Sequence, residues 1–285
     1  MLYRNFDRAA LDIQYDNRRR VPEHPQHSER WAKACERMKR EIPGEFDVPY
    51  GPTPAEKLDV FPAAHPGGPV LVYIHGGYWM SRDKADFSFV AEPFVKAGVS
   101  VVVVNYVLAP NAGLDEIVRQ NRAAAAWAWR NARMFGADPD RLFVAGHSAG
   151  GHLTAMLMET DWPGFGSDLP ADLVAGGCAI SGIYDLEPIR LCYLNDTLHM
   201  DAAVAKRNSP LFHVPKTGAD LVLAVGGSES EEFLRQNREM AAAWRAKGHP
   251  CLELEMPGKD HFTIIGQFLE PGNGLAQAML RQMRV

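Results

Sequence analysis

From Glu56 onward, short runs of β-branched and apolar residues alternate with longer stretches in which apolar positions recur at three- and four-residue spacing. The short runs predict strands near Lys57 to Phe61, Val70 to His75, Val99 to Asn105, Arg141 to Ala145, Leu173 to Ile180, Asp220 to Val225 and Cys251 to Met256. The longer stretches predict helices over Leu114 to Phe135, Ala149 to Glu159, Glu231 to Lys247 and Gly274 to Met283. Such alternation is the signature of an α/β chain, a mostly parallel sheet with crossover helices on its faces. Residues 1–50 differ: they are charged, contain Val21-Pro22 and His24-Pro25, and show helical spacing from Ser28 to Arg40. They are expected to form an N-terminal helical arm packed on the sheet. No repeat, low-complexity tract or linker divides the chain, so residues 1–285 are read as a single domain.

Composition narrows the class of function. An apolar share of 46% in 285 residues is enough for a sizeable core. The formal charge of -5, from 30 basic and 35 acidic residues interspersed, provides no stripe for nucleic acid and no polybasic membrane patch. A small-molecule substrate is the expected partner, and a homodimer is left open. The four cysteines, Cys35, Cys178, Cys192 and Cys251, are widely spaced and read as reduced thiols. The N-terminal stretch lacks the apolar centre of a secretory signal, and the apolar runs are strand-length. A soluble cytoplasmic protein is expected.

The candidate chemistry begins at Leu142, where LFVAGHSAGG runs from a strand through Gly146-His147-Ser148-Ala149-Gly150 into a helix. A nucleophile on so tight a strand-to-helix turn needs small neighbours, because side chains at Gly146 and Gly150 would collide with backbone. The turn also sets the hydroxyl at a helix N-terminus, where amides and the helix dipole favour negative charge. A glycine-serine turn before an ordinary helix would read similarly. The strand before, the helix after and a second signal upstream decide for the nucleophile elbow of the α/β-hydrolase fold. His147 should point away from Ser148 and is assigned to the pocket rather than to proton transfer.

The second signal is Leu71-Val72-Tyr73-Ile74-His75-Gly76-Gly77-Tyr78-Trp79, a buried strand ending in a His-Gly-Gly turn. Gly76 and Gly77 can offer one backbone donor to a tetrahedral oxyanion and Ala149 the other. Tyr78 and Trp79 follow at once and are expected, with His147, to line the substrate pocket. The base should lie late, after the last core strand, where Pro257-Gly258-Lys259-Asp260-His261-Phe262 presents His261. The acid should leave the preceding strand, where Glu229 is the first carboxylate after Gly226-Gly227 and Glu231 and Glu232 open a helix; Asp185 and Asp260 are its rivals. No HExxH motif, Cys/His cluster or phosphate-binding glycine loop occurs, so neither metal nor cofactor is expected.

With these residues placed, the chain resembles the kynurenine formamidase (arylformamidase) branch of the α/β-hydrolases over nearly its whole length. The resemblance rests on HGGYW from His75, NYVLAP from Asn105, GHSAGGHL from Gly146, SGIYDLEPI from Ser181, GGSESEEFLRQN from Gly226, and YDNRRRVPEHP from Tyr15. Lipase-like relatives usually have a third glycine where Tyr78 stands. The resemblance implies Ser148 as nucleophile, His261 as base and Glu229 as acid, at a position where the family often has aspartate. It implies hydrolysis of N-formyl-L-kynurenine to formate and kynurenine in tryptophan breakdown. A general carboxylesterase acting on short acyl esters is the alternative, and a non-catalytic receptor on the same fold is a remoter one.

Overall fold

The alternating pattern becomes one sheet of eight strands in the order β1-β2-β4-β3-β5-β6-β7-β8, in a computed structural model that describes residues 1–216 and 218–285. The strands are β1 (Glu45–Pro49), β2 (Lys57–Phe61), β3 (Gly68–Ile74), β4 (Ser100–Val104), β5 (Ala137–His147), β6 (Gly176–Ile180), β7 (Asp220–Gly226) and β8 (Cys251–Met256). β1 pairs antiparallel with β2, and β2 with β4; every other neighbour is parallel. This is the α/β-hydrolase arrangement. Its central strands read as unbroken apolar runs because both faces are covered. Along β3, Val70, Val72 and Ile74 join one core cluster with Ile117 and Leu153, while Leu71 and Tyr73 join the other with Trp31 and Phe94.

Register positions the site. Ile74 lies opposite Gly146, His147 opposite Ile180, and Ile180 opposite Ala224, so the carboxyl ends of β3, β5, β6 and β7 open on one edge of the sheet. Loops leaving that edge are the ones that build sites in open α/β sheets.

The four helices expected in this part of the chain run Leu114–Asn131, Ala149–Met158, Glu231–Ala246 and Gly274–Met283. The first is prolonged by a tighter turn, Ala132–Phe135, and stopped by Gly136 at φ 76°. Several strand boundaries move by a few residues, most of all in β5, which starts at Ala137 rather than Arg141, and in β6, which begins at Gly176 while Leu173 is buried in the preceding loop.

One element corrects the expectation that residues 1–50 are all arm. Glu45–Pro49 forms an edge strand, with Glu45 opposite Val60 and Val48 opposite Leu58. It carries no buried residue and ends in proline, so no alternation announced it. The arm proper is three helices, Arg8–Tyr15, Asn17–Arg20 and His24–Glu41. It is anchored through buried groups: the Tyr15 hydroxyl donates to Glu232 (2.9 Å) and accepts from the Gln236 amide (2.9 Å), and Trp31 stacks on Phe89 at 5.8 Å. Among the described residues, no helix is long and apolar enough to cross a membrane.

Candidate active site

At the end of β5 the chain turns sharply. Ser148 sits at φ 59°, ψ -118°, its amide donates to the Ile180 carbonyl at 2.8 Å, and the helix Ala149–Met158 starts at the next residue. A non-glycine residue in left-handed backbone costs about 1–3 kcal/mol and persists only where its surroundings enforce it. Here they do: a Cβ on Gly146 would strike the Gly150 carbonyl, and one on Gly150 would strike the Ile74 carbonyl. The β3 turn lies directly against this elbow, since a Cβ on Gly76 would stand 3.0 Å from that of Ser148. Gly77 adopts φ 110°, and the turn closes through Met80 and Ser81 amides donating to the Gly77 carbonyl at 3.0 and 3.1 Å. Among the described residues, the amides of Gly76, Gly77 and Ala149 make no backbone hydrogen bond outside regular elements, which leaves them available as donors.

The His261 imidazole meets Glu229, with Nδ1 2.6 Å from Oε2. The other carboxylate oxygen accepts from the Ser181 hydroxyl at 2.5 Å and the Gly226 amide at 2.8 Å. With Nδ1 donating to the carboxylate, the tautomer leaves Nε2 bare as a proton acceptor. Phe233 (4.8 Å between ring centroids) and Phe262 (5.9 Å) hold the imidazole plane. The rival carboxylates are engaged elsewhere. Asp260 accepts from the Phe262 and Thr263 amides at 2.8 and 2.9 Å, and Asp185 accepts from the Tyr3 hydroxyl at 2.8 Å and the Glu187 amide at 3.0 Å.

Ser148, His261, Gly76, Gly77, His147 and Tyr78 line one cavity of about 280 Å³. Tyr78 is a rigid wall: its hydroxyl donates to the Tyr15 carbonyl at 2.6 Å and accepts from the Asn17 side chain at 3.1 Å. The His147 ring lies 4.6 Å from that of His261, and its Nε2 is buried with no hydrogen-bond partner among the described residues. Burial first, then the charge of His261, hold the His147 imidazole well below its usual range, so it is neutral.

Trp79 is the correction. The left-handed turn at Tyr78 (φ 51°) and Trp79 (φ 58°) sends the indole away from the cavity into the core, where it is 0% exposed and meets His152 edge-on at 5.0 Å. His152 donates through Nε2 to the Asn208 carbonyl (2.7 Å), and burial pushes its pKa down to about 4. A depressed folded-state pKa makes the stabilising contribution complete above the unfolded value near 6.5 and lost as pH falls toward 4. The stability difference between wild type and His152→Asn is therefore expected to shrink by about 1 kcal/mol per pH unit between roughly pH 6 and 4.5. Urea unfolding of both proteins across that range checks it, and a pH-independent difference would refute the assignment.

Several cavity residues are not singled out as site residues by the sequence, Asp16, Asn17 and Arg18 standing there only as part of the YDNRRRVPEHP segment. Asp16, Asn17, Arg18 and Trp31 come from the arm, Arg82 from the loop that follows the His-Gly-Gly turn, and Tyr193 from a loop elsewhere in the chain. Ser181, the donor to Glu229, was read only as part of a family segment. Chemically the arrangement unites a hydroxyl on a strained turn at a helix N-terminus, an imidazole oriented by a carboxylate, and free amides beside the hydroxyl. These are the parts that acyl transfer requires.

Comparison with known proteins agrees with this chemistry. Residues 58–163 match the BD-FAE family model. A solved structure from Silicibacter sp., provisionally described as a thioesterase, superimposes with a TM-score of 0.83 at 28% identity, covering 94% of this chain and 97% of the other. The kynurenine formamidase of Danio rerio is 32% identical over 99% of this chain and 98% of its own length. That of Salmo salar is 37% identical over 84% of this chain and 81% of its own. The chain is thus a hydrolase that belongs to the kynurenine formamidase family.

Proposed function

We propose that the protein hydrolyses N-formyl-L-kynurenine to formate and L-kynurenine through a formyl-enzyme on Ser148. The observation that carries the reading is the His261–Glu229 pair at 2.6 Å, opening on the same cavity as Ser148 and Gly76, in a chain of this family. His261 Nε2 takes the hydroxyl proton as Ser148 attacks the formyl carbon, and the oxyanion that forms is held by amides among Gly76, Gly77 and Ala149. The imidazolium, stabilised by Glu229, returns the proton to the anilide nitrogen, the C–N bond breaks and kynurenine leaves. Water, deprotonated by His261, then attacks the formyl ester; formate departs and Ser148 recovers its proton. No added oxidant, metal or cofactor enters this balance. Four free thiols, three of them buried, support a cytoplasmic setting.

Tyr78 supports formyl as the preferred acyl group. Its hydroxyl is tied twice to the arm, so the ring cannot yield to a longer chain. One misfit methylene is worth about 1–3 kcal/mol, or roughly 10- to 200-fold. Values of kcat/KM for N-formylkynurenine and for formyl, acetyl and butyryl esters, corrected for leaving-group reactivity, are expected to fall with acyl length. A series rising from formyl to butyryl would make the protein a general carboxylesterase. Failure to turn over any of them or to react with a fluorophosphonate would make it a receptor.

A further inference from the structure

Deepening that reading, and resting on it, we infer that Arg18 of the arm and Arg82 of the loop after the His-Gly-Gly turn bind the carboxylate of an amino-acid leaving group. Both guanidiniums belong to residues that line the cavity holding Ser148 and His261. Arg18 has no ion-pair partner among the described residues, and the one carboxylate near Arg82 is Asp86 at 4.0 Å. Arg82 is only 24% exposed in its side chain and is fixed by donating to the Ser28 hydroxyl of the arm at 2.8 Å. Ligand pockets are lined mostly by apolar side chains with a few placed polar groups, and two under-neutralised cations on one such cavity call for an anion.

Supporting this, burial disfavours the Arg82 cation; Asp86 partly offsets it, and the Arg18 charge pushes the same way as burial. An anion between the two arginines relieves that repulsion. Guanidinium suits a carboxylate because its planar fork donates two parallel hydrogen bonds. The lining also fits. Trp31, Phe87 and Phe262 give an apolar lining for an aryl ring, with the charged residues contributed largely by the arm. Asp16, which lines the same cavity and spends one oxygen capping the Arg19 amide at 3.1 Å, supplies the opposite charge for the ammonium of a zwitterion.

The test compares N-formyl-L-kynurenine with 2′-formamidoacetophenone, which keeps the formanilide and ketone but lacks the amino acid. Wild type is expected to favour the first in kcat/KM. Arg18→Ala, at an exposed position, and Arg82→Met should each cut that preference by about 10- to 100-fold, chiefly through KM, as expected for one lost charge-assisted hydrogen-bond pair. Arg18→Lys should restore part of it. A variant that merely damages the fold lowers both rates and leaves their ratio alone, so an unchanged ratio in both variants overturns the subsite. Equal efficiency of wild type on the two formamides overturns it as well, while leaving the deformylation reading intact. A wild type that deformylates neither compound, yet cleaves acyl esters, overturns that reading instead.

Discussion

Ser148→Ala and His261→Ala are each expected to remove nearly all hydrolytic activity, on the order of 10⁶ in kcat, with the double variant scarcely worse than either. The non-additivity follows from the chemistry: the hydroxyl is a poor nucleophile without a proton acceptor, and the imidazole has nothing to activate without the hydroxyl. A residual rate above that in water should survive, because the amides near Gly76 and Ala149 and the substrate pocket are untouched. Neither substitution should unfold the protein. Ser148 carries a backbone strain that alanine shares, and among the described residues the hydroxyl makes no hydrogen bond to another side chain, whereas loss of His261 leaves Glu229 its Ser181 and Gly226 donors. Kynurenine release by absorbance, with circular dichroism on the same samples, measures both halves. More than a few per cent of activity in carefully purified Ser148→Ala would sink the nucleophile assignment.

Glu229→Gln is expected to cost about 10⁴ in kcat, the scale of the corresponding acid-to-amide change in serine proteases. A glutamine can hold the ring, but its amide nitrogen can donate to Nδ1 and so favour the tautomer that carries the proton on Nε2, where the base must be bare. Asp185→Asn and Asp260→Asn should stay within about tenfold of wild type, since each amide can keep at least one of the hydrogen bonds that its carboxylate accepts from Tyr3 and Glu187 or from Phe262 and Thr263. Steady-state kinetics on the three variants decide it. If Asp185→Asn or Asp260→Asn proves the worst, His261 is oriented by a different group in the working enzyme.

Much of this architecture is legible in the chain, for reasons of range. The elbow at Ser148 and the turn at Gly76 are local: a few residues must be small because their own neighbours leave no room, and that demand is written in consecutive letters. Buried strands are equally plain, because a sheet covered on both faces needs unbroken apolar runs. The order of loops along the sheet edge brought Glu229 to His261 without any knowledge of distance. Beyond that range only the tertiary structure decides. β1 lacks a buried face and borrows its conformation from pairing with β2, so its own residues carry no pattern. Trp79 turns inward because two successive left-handed residues rotate it past the cavity, and neither tyrosine nor tryptophan advertises a positive φ. Arg18 joins Arg82 in lining the cavity of Ser148 through an arm in which Tyr15 is pinned to Glu232, more than two hundred residues away, and to Tyr78; cationic side chains on a short polar helix look like ordinary solvated surface until the partner that folds them over the site is in place.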